Sequence, residues 1–176
     1  MIFLLSDCQL IVATSARPRG LYLPGFDADE CAKFIHKQAD NTEVALVFGR
    51  ERSGLTNEEL LCCHYHLLIP CNPQYSSLNL AQAVQIVLYE LRKQLIQGQG
   101  KITHNHEPLA SFEDVERLYA HLSKFLLDIN FLKLKNPARV MPRIRRMLNR
   151  IRFEQMEVNI LRGILSHLQK SLICED

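Results

Sequence analysis

Three short apolar runs, Gln9 to Thr14 (QLIVAT), Val44 to Phe48 and Leu67 to Ile69, each stop where glycine, proline, asparagine or serine takes over. β-Branched residues bounded by turn formers predict buried strands that hand a loop to one edge of a sheet. Between and after these runs the apolar period becomes helical. Asp27 to Ala39 carries Ala28, Cys31, Ala32 and Ile35 on one face behind a candidate N-cap, Asp27. Thr56-Asn57-Glu58-Glu59 matches the capping box, in which hydroxyl and carboxylate exchange bonds with each other's backbone amides. Asn79 to Gln94 predicts a long helix buried along Leu80, Val84, Val87, Leu88, Leu91 and Leu95. Strands alternating with helices predict an α/β fold with a parallel sheet.

Gly98 to Pro108 loses the period and is rich in breakers, so a linker and a domain boundary are expected there. Beyond it the pattern is only helical. Ser111 to Asp128 opens on a capping-box match and turns Val115, Leu118, Leu122, Phe125 and Leu126 inward. Asn136-Pro137 starts a second helix to about Arg150, and Glu154 to Lys170 forms a third. The expected organisation is an α/β domain over 1–97, a linker over 98–110 and an all-helical extension over 111–176. Met1 to Ser6 is apolar without a cap before it, and reads as the interior of an element that starts upstream.

Composition narrows the class. In 176 residues, 47% apolar content supports a real core, and no window has the apolar length of a membrane span. The six cysteines form no C-x-x-C pair, which fits reduced thiols in a cytoplasmic protein. With 21 Lys and Arg against 19 Asp and Glu, any nucleic-acid signal must lie in local clustering. It does: Lys133 to Arg152 holds eight basic residues and no acid, and its Arg139, Arg143, Arg145, Arg146 and Arg150 are candidate RNA contacts. The plainer alternative is a solvated helix face.

Two loops carry the other candidate chemistry. Gly49-Arg50-Glu51-Arg52-Ser53-Gly54 places three charges between glycines, and the loop from Pro70 to Asn79 feeds the free amides of a long helix. No Lys-Ser/Thr follows Gly54, so a Walker-type phosphate loop is not expected. Cys62-Cys63-His64-Tyr65-His66 lacks the spacing of a zinc site, and no metal is expected. Pairing of Cys71 with His64 or His66 as a nucleophile has no support in spacing.

Taken together, VATSAR (Val12 to Arg17), LVFGRERSGLTNEEL (Leu46 to Leu60), IPCNPQYSSLNLAQAV (Ile69 to Val84) and NILRGIL (Asn159 to Leu165) resemble the SPOUT class of RNA methyltransferases. The closest subgroup is the bacterial tRNA cytidine/uridine 2'-O-ribose methyltransferases acting on the anticodon loop. That resemblance implies a parallel sheet with a trefoil knot, a homodimer and S-adenosylmethionine as methyl donor. By motif, Thr14, Ser15, Ala16, Gly49, Ile69, Ser76, Ser77 and Leu78 fall where the family binds the cofactor. Arg19, Arg50, Ser77 and Asn79 fall where it holds RNA or shapes the reaction centre. The family's N-x-G-x-x-A-R motif, whose arginine orients the target nucleotide, has no match here, so an N-terminally shortened domain is expected. The alternatives are a non-catalytic RNA-binding and dimerisation module, and a DNA-binding helical domain on a structural scaffold.

Overall fold

The apolar runs are strands of one parallel sheet, β1 (Leu10–Ser15), β2 (Gly25–Phe26), β3 (Val44–Val47) and β4 (Tyr65–Leu68), in the order β2-β4-β1-β3. The computed structural model describes residues 4–15, 23–38, 42–72, 74, 78–97, 108–134 and 137–173. Within them the chain forms two units: an α/β unit in residues 10–97, and a helical unit joining residues 4–9 to 108–173. Strand β1 lies between two partners, and Leu10, Ile11, Val12 and Ala13 are fully buried. A strand covered on both faces reads as a continuous apolar run, which is why QLIVAT does not alternate.

Register decides where the loops emerge. Ala13 lies opposite Val47 of β3 and His66 of β4, while Ser15 lies opposite Leu68. The three strands therefore end within two residues of one level, about 7 Å along the strand direction. Two bonds secure the near end of the β1–β4 pair. The His64 amide donates to the Ile11 carbonyl at 2.9 Å, and the Ile11 amide donates to His64 Nδ1 at 3.0 Å. Strand β2 is too short for an apolar pattern to announce it. Its Phe26 instead packs in an aromatic group with Phe34 and Tyr65, with ring centres 4.9 to 5.0 Å apart.

Helices α1 (Ala28–His36), α2 (Asn57–Leu61) and α3 (Leu80–Gln97) complete this unit. Asp27 caps α1 and forms a full capping box with Glu30. Asp29 binds Lys33 at 2.5 Å, Lys93 at 3.5 Å and Gln94 Nε2 at 3.4 Å, which ties α1 to α3. The predicted buried stripe of α3 needs correction. Val87 is buried, and Val84 and Leu91 are half-buried, but Leu80 is 39%, Leu88 50% and Leu95 62% exposed. An i, i+4, i+8 series drifts around the helix, so Leu88 and Leu95 join Tyr89 and Ile96 on an uncovered apolar face.

The helical unit contains α4 (Phe112–Asp128), a short α5 (Phe131–Leu134), α6 (Pro137–Leu148) and α7 (Gln155–Ile173). Asn136, the predicted starter of the second helix, lies outside the described residues. Helices α4 and α7 enclose Leu118, Val158 and Leu165, with Ala110 and Phe153 closing the end. Every early amide of α4 finds an acceptor. Phe112 donates to the Cys8 carbonyl at 2.9 Å, Glu113 to the Ser6 carbonyl at 3.1 Å and Asp114 to Ser111 Oγ at 3.2 Å. The expected reciprocal half of this cap differs, because the shorter Asp114 carboxylate accepts from the Ser111 hydroxyl at 3.0 Å. Asn130 ends α4 in the left-handed region at φ 60, a conformation asparagine tolerates.

Leu118 is 2% exposed at the centre of this core. Leu118→Ala is expected to destabilise the helical unit by about 2–5 kcal/mol, read from urea unfolding followed by circular dichroism.

Candidate functional site

The shared edge of β1, β3 and β4 gathers part of the predicted cofactor set. Thr14 is buried, and its hydroxyl donates to the Val47 carbonyl at 3.1 Å. That bond ties the last turn of one strand to the strand beside it, just before Ser15 and Gly49. Ile69 follows β4, and its carbonyl accepts from Cys71 Sγ at 3.3 Å. Leu78 precedes α3, and Asn79 caps that helix by accepting from the Gln82 amide at 2.8 Å. Gln82 Oε1 in turn accepts from the Asn79 amide at 3.3 Å. Ala16, Arg19, Ser76 and Ser77 lie outside the described residues.

The glycine loop is a tight backbone device. Arg50 and Gly54 form an antiparallel bridge, with N–H to carbonyl distances of 3.2 and 2.7 Å. Gly54 takes φ 65, where glycine is at ease. A Cβ on Gly49 would stand 2.5 to 2.6 Å from the backbone of Gly54 and Leu55, so only glycine fits beneath the returning chain. The amide and carbonyl of Gly49 have no hydrogen-bond partner among the described residues.

Directly after the bridge, Thr56 caps α2 as the capping box predicts. Thr56 Oγ1 accepts from the Glu59 amide at 3.1 Å, and Glu59 Oε2 accepts from the Thr56 amide at 2.7 Å. The same carboxylate receives both ends of the Arg50 guanidinium, at 3.1 and 2.9 Å. The Arg50 bonds first, and the Thr56 amide second, lower the Glu59 pKa to about 2. Glu59 is a functional candidate that motif reading had used only as a helix cap. Its second task depends on a loop closing over nine residues, which no local pattern displays.

In the helical unit the five candidate arginines divide. Arg139, Arg143 and Arg146 stand at i, i+4 and i+7 on one face of α6, and Arg150 follows at i+11 in the turn beyond. None of the four has an ion-pair partner among the described residues. Arg145 points elsewhere. Its guanidinium forms a two-point pair with Glu116 and lies 4.6 Å over the Tyr119 ring. The buried Tyr119 hydroxyl donates to Asn149 Oδ1 at 2.5 Å. Arg145 therefore fastens α6 to α4 through contacts 26 to 29 residues apart in the chain, a separation that helical spacing cannot reveal.

The cysteine and histidine run is occupied internally. The Cys62 and Cys63 thiols donate to the Glu58 and Glu59 carbonyls, and burial pushes the Cys63 thiol up to about 12. His64 is bound to Ile11, and burial lowers the His66 pKa. Among the described residues no three metal-ligating side chains gather, and no helix is long and apolar enough to cross a membrane.

A family model described as tRNA methyltransferase TrmJ, C-terminal domain, matches residues 113–175, and one described as the SpoU rRNA Methylase family matches residues 10–89. The chain is 48% identical over 169 residues to the tRNA (cytidine/uridine-2'-O-)-methyltransferases TrmJ of Escherichia coli strain K12 and Shigella sonnei. That alignment covers 94% of this chain and 69% of each relative. Among solved structures it is similar to TrmJ from Z. mobilis ZM4, with TM-score 0.76 and 33% identity over 94% of this chain and 69% of that one. It is also similar to a probable methylase family protein from Haemophilus influenzae Rd KW20, with TM-score 0.51 and 41% identity over 98% of this chain and 71% of that one.

Because the folded-state pKa of Glu59 is depressed, its stabilising effect is complete above its ordinary value of 4.5 and is lost as pH falls toward about 2. Urea unfolding at stepped pH is expected to show Glu59→Gln less stable than the parent chain at pH 7, with the gap narrowing below pH 4.5.

Proposed function

The chain belongs to the TrmJ family of tRNA (cytidine/uridine-2'-O-)-methyltransferases, and from that premise we propose that it methylates a ribose 2'-oxygen in the anticodon loop of tRNA, with S-adenosylmethionine as donor. The observation that carries this reading is the shared strand edge, where Thr14, Ser15, Gly49 and Ile69 stand at the ends of three adjacent parallel strands. Ligands of open α/β sheets bind outside the carboxyl ends of their strands. The amide and carbonyl of Gly49 offer one donor and one acceptor, which matches the mixed edge of an adenine. The residues present therefore fit the cofactor. Ala16, Ser76, Ser77 and Leu78 complete its pocket in this reading.

Bound S-adenosylmethionine supplies a methyl group already activated by its positive sulfur. What remains for the protein is alignment, exclusion of water and removal of the 2'-proton. Arg19 and Arg50 hold phosphates of the RNA strand, because a guanidinium binds phosphate through paired charge-assisted bonds. Ser77 and Asn79 shape the reaction centre between cofactor and ribose. The stripe of Arg139, Arg143, Arg146 and Arg150, exposed except at the half-buried Arg146, holds the tRNA backbone at a second place. The stated spacing supports one continuous run of phosphates, since residues four apart on a helix lie about 6 Å along its axis. Arg145 is not assigned to RNA, because Glu116 and Tyr119 already engage it.

The homodimer belongs to the same reading. Leu88, Tyr89, Leu95 and Ile96 form an exposed apolar face on α3, and a second copy laid against it removes that face from water. A trefoil knot in the parallel sheet domain, and a cytoplasmic location, complete the proposal.

Incubation with unmodified tRNA and S-adenosylmethionine, followed by nucleoside mass spectrometry, is expected to yield 2'-O-methylcytidine or 2'-O-methyluridine from an anticodon-loop fragment. Saturable tRNA binding without either product would make the chain an RNA-binding module instead. In a salt titration of tRNA affinity, the Arg143→Ala/Arg146→Ala chain is expected to flatten the log–log slope by about 2, one for each lost phosphate contact.

A further inference from the structure

We propose that Glu59 is a positioning residue for Arg50, holding its guanidinium in a fixed direction so that it meets an RNA phosphate already aimed. This inference rests on the reading of Arg50 as an RNA contact. Three observations carry it. First, the pair is two-pointed, with Arg50 Nη1 and Nη2 on separate oxygens of one carboxylate at 3.1 and 2.9 Å. Second, the carboxylate is itself fixed, because Oε2 accepts the Thr56 backbone amide at 2.7 Å, a bond that does not depend on the Thr56 side chain. Third, the two partners are unequally covered: the Glu59 side chain is 18% exposed and that of Arg50 is 62% exposed. The inner group is anchored and the outer group faces solvent.

The donor count makes the arrangement useful. A guanidinium has five N–H bonds, and the two-point pair consumes two, so three remain for a phosphate. The backbone of Arg50 is held as well, by its bridge to Gly54 and by the turn that Gly49 alone permits. A long flexible cation normally loses much of its freedom when it binds. Here that freedom is given up on folding, so less is lost when RNA arrives. A bound carboxylate also subtracts charge, so two effects oppose each other. Aim dominates when the contact is a directed hydrogen bond, and charge dominates when it is a diffuse attraction.

The test measures the affinity of fluorescently labelled tRNA for the full chain by anisotropy, with S-adenosylmethionine present, and the affinity of the cofactor by calorimetry. Arg50→Ala is expected to weaken tRNA binding about five- to tenfold. Glu59→Gln keeps an oxygen for the Thr56 amide and is expected to lose a similar factor. The double variant is expected to be no weaker than Arg50→Ala alone, since both changes act through one contact. Thr56→Ala, which removes the other half of the cap but leaves the Arg50 contact, is expected to bind tRNA as the parent does. Cofactor affinity is expected to stay unchanged throughout.

Wild-type or tighter tRNA binding by Glu59→Gln would overturn the inference, because the carboxylate would then be idle or masking the cation. So would an equal loss in Thr56→Ala, which would assign the effect to fraying of α2. Parent-like binding by Arg50→Ala would instead remove the underlying reading of Arg50, and the role of Glu59 with it.

Discussion

Parallel strands deliver their loops to a common edge only while the register between them holds, and in this chain side chains help to hold it. His64 brackets Ile11 with its amide and Nδ1, and Thr14 bonds the Val47 carbonyl. A slip of one residue would turn every side chain of β1 to the opposite face. Because β1 is buried on both sides, such a slip would force Leu10, Ile11, Val12 and Ala13 into spaces shaped for their neighbours. Register thereby sets the spacing of Ser15, Gly49 and Ile69. Thr14 contributes to the site by holding that spacing, since its hydroxyl is already committed to the sheet.

The loop after β3 depends on this placement. Gly49 passes under Gly54 and Leu55 at a distance that admits no side chain, and the Arg50–Gly54 bridge closes the turn above it. The charged residues between the two glycines are therefore carried by a stiff frame. Thr56 and Glu59 extend that frame into α2, so a helix cap and a cation clamp share one carboxylate. The low pKa of Glu59 is the electrostatic sign of this sharing, because both partners favour its charged form.

Much of this was legible from local pattern. Asp27, Thr56 and Ser111 stand where caps were expected, and the three apolar runs are strands within a residue or two of their predicted limits. Glycine, caps and apolar runs act over a few residues, so sequence displays them. What was hidden depends on distant partners. The exposed face of α3 appears only once helix drift is measured against what actually covers it. Arg145 and Arg146 are neighbours in the chain, yet only Arg145 meets Glu116 and Tyr119. Strand β2 has two residues, too few for any period, and is held by pairing with His66 and Leu67. Thr14, Ser15, Gly49, Ile69, Leu78 and Asn79 were named from motif, while the bonds that occupy Thr14 and Asn79 became visible only in three dimensions.

The capping of α4 by Ser6 and Cys8 has a consequence for the order of synthesis. These carbonyls emerge from the ribosome more than a hundred residues before the Phe112 and Glu113 amides they bind. The α/β unit is encoded between them, so it can fold while the helical unit still lacks its partners. The early segment must wait for the amides its carbonyls bind until α4 has been made. A fragment starting at the linker would be born without that cap. The helical unit is thus completed after the α/β unit, although it holds residues translated before that unit.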